Sequence, residues 1–345
     1  MSCERYFISL ILFLSAHSVC SGTLTVTTWG GEYANAQRLA FFEPFSAQSG
    51  YRVVQDMWGG DIARIRAMVE RNHYTAGVFD AEEDQVQEGC DSGVLEVIDY
   101  DLLDFERESL IPEAEHRCGV GSIVWSMIFA YDPTKFASAA PTNWRDFWDM
   151  EKFPGKRGLY GGLETNLEIA LLADGVDPLD VYAELATDQG HTRAFNKLDA
   201  LKPHIIWWQA GAQAGQLLRD GEVVMTSGWN GRLYRASTPQ RHFPLVWQGQ
   251  LMFFEYWVIP KNHPNQKIAY DFISLATRPE RQAQMTQYIP YGPTHKEWTT
   301  YIDPSIVKDF PTAPDNLKGA LKVKPGYWNA HAKELQRMFT TWMNK

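Results

Sequence analysis

The chain has 345 residues, 45% of them apolar and 21% charged, with a formal net charge of −10. That length suffices for two domains of ordinary size, and that balance fits a folded soluble body rather than a disordered one. The negative charge argues against nucleic acid or an anionic membrane as partner, and it is compatible with a cationic small molecule.

The first residues read as an address. Arg5 precedes the apolar run Tyr6 to Leu14, and small residues follow from Ser15 to Gly22. This is the layout of a secretory signal over residues 1–22, with cleavage expected between Val19 and Gly22, and it is too short to span a bilayer. Val19 disfavours lipid attachment at Cys20, because a small residue is expected there. No later run is long and apolar enough for a membrane span, so the mature chain is expected in the periplasm. Cys3 and Cys20 leave with the signal, and Cys90 and Cys118 remain. An exported chain with two cysteines reads as one disulfide, which would contribute about 3.5 kcal/mol in the chain-entropy model. Two separate thiols are the alternative. There is no Cys-x-x-Cys pair and no histidine cluster with ligand spacing, so neither a metal nor a cofactor is expected.

Thr23 to Thr28 reads as a strand, broken by Trp29-Gly30-Gly31-Glu32-Tyr33. A helix is expected over 34–48, a strand over Tyr51 to Met57, and a helix after Asp61, which is a good N-cap. A third strand over Gly77 to Ala81 ends in Glu82-Glu83-Asp84. This β-α-β-α-β opening is the mark of a parallel sheet. Trp-Gly-Gly-acid occurs twice, each time between a strand and a helix. Ligands of open α/β sheets gather at the carboxyl ends of strands, where Trp29, Trp58 and residues 82–84 all fall. Trp58 reads as packing and Trp29 as a ligand contact. A short strand over Gly93 to Asp99 follows. A long one over Gly119 to Tyr131 crosses to a second α/β unit, with helices at 143–148, 167–173, 181–185 and 192–201. Strands at 159–160 and 205–209, a helix at 212–220, and a strand at 222–227 leading into Gly228-Trp229-Asn230-Gly231 complete that unit. The run Leu251 to Pro260 brings the chain back. Helices at 270–276 and 280–287, an irregular loop at 288–293 and an amphipathic helix over 328–343 end it.

Glu255 is the one carboxylate within Leu251 to Pro260. An ionised carboxylate in apolar surroundings is costly unless paired, and flanking rings attract positive charge, so Glu255 reads as an anchor for a cation. A half-buried strand with Glu255 in water is the plainer reading. Gly-rich turns before helices can hold anions, but Glu32 and Asp61 occupy those turns and count against it. No Gly-x-Ser-x-Gly, His-Glu-x-x-His or P-loop is present, so catalysis is not expected. His331 and Glu334 share a helical face that reads as solvated.

Taken together, Trp29, Trp229-Asn230-Gly231, Phe253-Phe254-Glu255 through Ile259-Pro260, and Ile289-Pro290-Tyr291 resemble, in order and spacing, the periplasmic spermidine/putrescine-binding proteins of ABC importers. The likeness spans nearly the whole mature chain. It implies a periplasmic binding protein of type II, an α/β fold of two lobes with a cleft between them. The expected lobes are 23–128 plus 257–298 and 129–256 plus 299–345. The implied ligand is a polyamine, held by Trp29, Tyr33, Trp229, Phe253, Glu255 and Tyr291. Glu82 and Asp84 fall where the family has a serine and a tyrosine, and so add carboxylates. Gly161 and Gly162, with Glu164 nearby, stand where the family has an acidic pair. The implied partner is an inner-membrane ABC permease, with the chain itself a monomer. The alternative is another cationic solute, a quaternary amine or a basic amino-acid derivative, or a role as chemosensory ligand carrier. Iron binders of this architecture use adjacent tyrosines, and no Tyr-Tyr pair exists here.

Overall fold

A computed structural model describes residues 22–136 and 139–345. The expected export signal, with Cys3 and Cys20, lies outside the described residues apart from Gly22. Ten strands form one continuous sheet: β1 (Gly22–Thr28), β2 (Tyr51–Met57), β3 (Val78–Glu82), β4 (Glu115–His116), β5 (Gly119–Tyr131), β6 (Arg157–Tyr160), β7 (Ile205–Trp208), β8 (Met225–Trp229), β9 (Leu245–Val258) and β10 (Leu321–Lys322). Their order is β2-β1-β3-β9-β5-β8-β6-β7, with β10 beside β9 and β4 beside β5. The first three strands are mutually parallel, as are β6, β7 and β8. The long strands β5 and β9 pair antiparallel at the centre and join the two parallel halves.

Local chemistry sets these boundaries. Gly30 and Gly31 take φ of 86° and 61°, which turns the chain from β1 into a helix within two residues. That helix starts earlier than its apolar spacing indicates. It runs as Gly31–Gln37, continues through a π segment Arg38–Phe42, and ends as Glu43–Ser49. Asp61 caps the helix Ile62–Glu70 by accepting from the Ala63 N–H at 2.9 Å. The strand expected at 93–99 does not form. The Glu96 N–H donates to Ile259 and the Ile98 N–H to Arg117, so the segment divides its bonds between two neighbours and builds no ladder. Residues expected only as an acidic strand end form a helix, Glu83–Asp91. The Cys90–Cys118 disulfide ties that helix to the start of β5.

Two apolar cores flank the sheet. One gathers Val26, Phe41, Phe79, Val124, Phe254 and Trp257, and the other Met127, Phe147, Leu167, Trp208, Leu251 and Phe339. The long strands belong to both: on β5 the core changes between Val124 and Met127, and on β9 between Leu251 and Met252. Two lobes, each with its own core, thus share one sheet. Among the described residues, no helix is long and apolar enough to cross a membrane.

Candidate ligand-binding site

A cleft of about 670 Å³ opens between the two cores. It lies at the carboxyl ends of β1, β3 and β8, where Trp29, Glu82 and Trp229 enter its wall. Open α/β sheets bind ligands at such strand ends. Trp125, Trp229 and Tyr291 supply ring surface. Trp229 packs against Gly211, where a Cβ would stand 2.2 Å from the ring, so only glycine leaves room for the indole there.

One end of the cleft is acidic and dry. Glu82 on β3 lies directly opposite Glu255 on β9 in antiparallel register. Like charges so placed repel. Behind them sits Asp80, fully buried, accepting from Tyr33 Oη at 2.6 Å, Gln37 Nε2 at 2.7 Å and Ser122 Oγ at 2.8 Å. Three donors satisfy Asp80. Glu255 is 5% exposed, and its Oε2 has no hydrogen-bond partner. Burial, then the neighbouring Asp80 and Glu82 charges, push the Glu255 carboxyl well above the usual carboxylate range. Burial also raises Asp80, and Glu82 is pushed up to about 7 by burial and by the nearby Asp84, Glu164 and Asp80 carboxyls. No arginine or lysine pairs with Asp80, Glu82 or Glu255 among the described residues. A buried acid cluster without a counter-ion favours a cation brought from outside.

The other end is basic and wet. Arg232 and Arg235, on and just after the short helix Asn230–Tyr234, both line the cleft. Asn230 fixes this helix against the first lobe. Its Oδ1 accepts from the Ser126 N–H at 3.0 Å, and its Nδ2 donates to the Pro290 carbonyl at 2.6 Å. Arg235 pairs with Glu32, whereas Arg232 has no hydrogen bond or ion pair among the described residues. Trp29 Nε1 is a buried donor without a partner at the same cleft.

The residues expected from sequence divide into two groups. Trp29, Tyr33, Glu82, Trp229, Glu255 and Tyr291 line the cleft together. Phe253 lies one ring behind it, stacked on Trp125 at 3.9 Å with planes 2° apart. Asp84 and Phe253 instead line a smaller acidic cavity of about 100 Å³ with Glu82 and Glu164. Trp58 is packing, as expected: it stands against Phe79, and its Nε1 donates to the Asp80 carbonyl at 3.1 Å. Sequence reasoning missed Arg232, Arg235, Trp125 and Asp80. Arg232 directly follows the Trp-Asn-Gly motif, and that adjacency was the available signal.

An interlobe cleft with ring walls and ionic ends, on a sheet threaded by two crossing strands, defines a two-lobed solute receptor of the periplasmic-binding-protein type II architecture. Residues 40–314 match the family model of bacterial extracellular solute-binding proteins, and the chain belongs to that family. A γ-aminobutyric-acid-binding protein of Pseudomonas aeruginosa is 41% identical over 332 residues, covering 96% of this chain and 94% of that protein. A putrescine/agmatine-binding protein of the same organism is 23% identical over 269 residues, covering 72% of each. A solved GABA receptor superposes with a TM-score of 0.78 at 33% identity, over 93% of this chain and 97% of that one. The chain is a substrate-binding component of an ABC transporter and not an enzyme; proteins of this kind bind a small molecule and deliver it to a membrane permease.

Proposed function

We propose that the cleft takes an ω-amino acid of the γ-aminobutyric acid class. The observation that carries this reading is the pairing of opposite charges at its ends: an unpartnered buried carboxylate oxygen of Glu255 and an unpaired guanidinium of Arg232. The ligand ammonium would meet Glu255 and Glu82. Its carboxylate would lie between the Arg232 and Arg235 forks, with Trp29 Nε1 as a further donor, and its methylenes would lie against Trp125, Trp229 and Tyr291. Charge-assisted hydrogen bonds contribute about 1.5–3 kcal/mol each, so one at either end with ring contacts supports micromolar binding after ordering costs. The two charged ends belong to different lobes, so one zwitterion would hold the cleft closed. The GABA-binding relatives support the same chemistry. The lobe division expected after residues 128 and 256 is proposed to fall instead near Ser126 on β5 and Leu251 on β9, where the core changes; export by the N-terminal signal to the periplasm and a monomeric state also belong to this proposal.

A diamine is the second reading. The additional carboxylates Asp84 and Glu164 near Glu82, and the putrescine/agmatine-binding relative, favour it. The arginines oppose it, because a second ammonium would meet like charge there. Calorimetric titration of the mature protein with γ-aminobutyrate, β-alanine, 5-aminovalerate, putrescine and spermidine separates the two. Saturable binding of one ω-amino acid, at least tenfold tighter than putrescine, is expected. Tighter binding of putrescine would overturn the reading.

A further inference from the structure

The two arginines of the basic end are not equivalent. Arg235 Nη1 pairs with Oε2 of Glu32 from the opposite lobe, and its Nη2 donates to the Tyr288 carbonyl at 3.3 Å. Glu32 lies in the first turn of the helix Gly31–Gln37. Arg232 precedes Arg235 by three residues, a spacing that places two helical side chains side by side. One fork is therefore already filled by a carboxylate of the protein while its neighbour is empty. The Glu32 and Arg235 side chains are 66% and 38% exposed, so their pairing is solvated and weak. It is held loosely enough for another carboxylate to displace it.

We infer that Glu32 is a specificity-determining residue that stands in for the ligand's own carboxylate: it pairs with Arg235 across the cleft and yields that fork to an incoming carboxylate. This rests on the assignment of Arg232 and Arg235 as the anion end. Glu32 then acts oppositely on two ligand classes. Against an anion it is a competitor. For a cation it is the one acid at that end, since Glu82 and Glu255 stand at the other. Two guanidinium groups against one carboxylate leave the end net positive, which rejects a second ammonium through unpaired like charge.

The test compares the mature protein with Glu32→Gln, Arg235→Gln and the double variant, titrated with γ-aminobutyrate, butyrate and putrescine. Butyrate keeps the carboxylate and lacks the ammonium, so it reads the anion end alone. Glu32→Gln is expected to tighten both carboxylate ligands about three- to fivefold, the scale of an exposed ion pair. Arg235→Gln should weaken both, and in its background the Glu32→Gln gain should vanish. Circular dichroism melting confirms that each variant is folded. Unchanged or weaker carboxylate binding in Glu32→Gln, with γ-aminobutyrate still bound by the parent protein, would overturn this inference and leave the proposed function standing. A parent protein that binds putrescine and neither carboxylate would overturn both.

Discussion

At one end of the cleft, Glu255 and Asp80 are withdrawn from water by the strands and helix around them; at the other, Arg232 and Arg235 stand in it. The acid end is fixed before any ligand arrives. Tyr33, Gln37 and Ser122 lock Asp80, and strand pairing locks Glu82 against Glu255. Its charge is costly to maintain alone, so it is poised to gain from a cation. The basic end stands in water, and solvent screens its charge. The contrast assigns affinity and pH response to the buried end, and choice among ligands to the exposed one.

The largest effect should come from breaking the buried end. Glu255→Gln removes the charge and keeps the shape, and is expected to weaken γ-aminobutyrate about 100-fold by calorimetry, the scale of a desolvated charge-assisted bond. A loss under threefold would sink the anchor role of Glu255. Arg232→Gln acts where water competes, so a loss of about 10-fold is expected, together with a gain in putrescine binding measured in the same series. Equal losses for both ligands would erase the distinction between the two ends.

The smallest effect is a pH response confined to the acid end. In the unfolded chain these carboxyls ionise near 4, whereas in the fold Glu82 is pushed up to about 7 and Asp80 and Glu255 are raised with it. Between those values the folded chain binds more protons than the unfolded one. Its stability is therefore fully present at acid pH and declines as pH rises through the window. Melting of the ligand-free protein should fall from about pH 5 to about pH 7.5, while ligand affinity rises over the same range as the carboxylates ionise. A flat melting profile without ligand would mean that Glu82 and Glu255 are not held protonated in the fold.

Much of the scaffold was legible in the sequence because its signals are local. Glycine pairs after strands, Asp61 as a cap, and the apolar runs of β5 and β9 each act within a few residues. The acid end was half legible, since Glu255 stands alone in an apolar run. Its support was not: Asp80 sits within Val78-Phe79-Asp80-Ala81, and the donors that satisfy it come from residues 33, 37 and 122. The basic end was misjudged for a different reason. Glu32 reads along the chain as an acid that repels anions from a helix start, yet across the cleft it neutralises an arginine 203 positions away. Phe253 was placed in the wall because the resemblance matched it to an aromatic wall, and nothing local in the sequence shows that Trp125 lies flat in front of it.

Trp125 and Phe253 are directly opposed on the two crossing strands, where one core gives way to the other. β5 and β9 are the long strands common to both lobes, so rocking of one lobe on the other is expected to be felt at that pair. Register irregularities flank the spot on β5, between Gly121 and Ile123 and between Met127 and Phe129, and bracket a short regular segment around the stacked rings. The pair thus stands where an optical gauge would be useful: Trp125 emission is expected to shift if ligand binding changes how squarely the two strands face each other, and a fluorescence titration checks it.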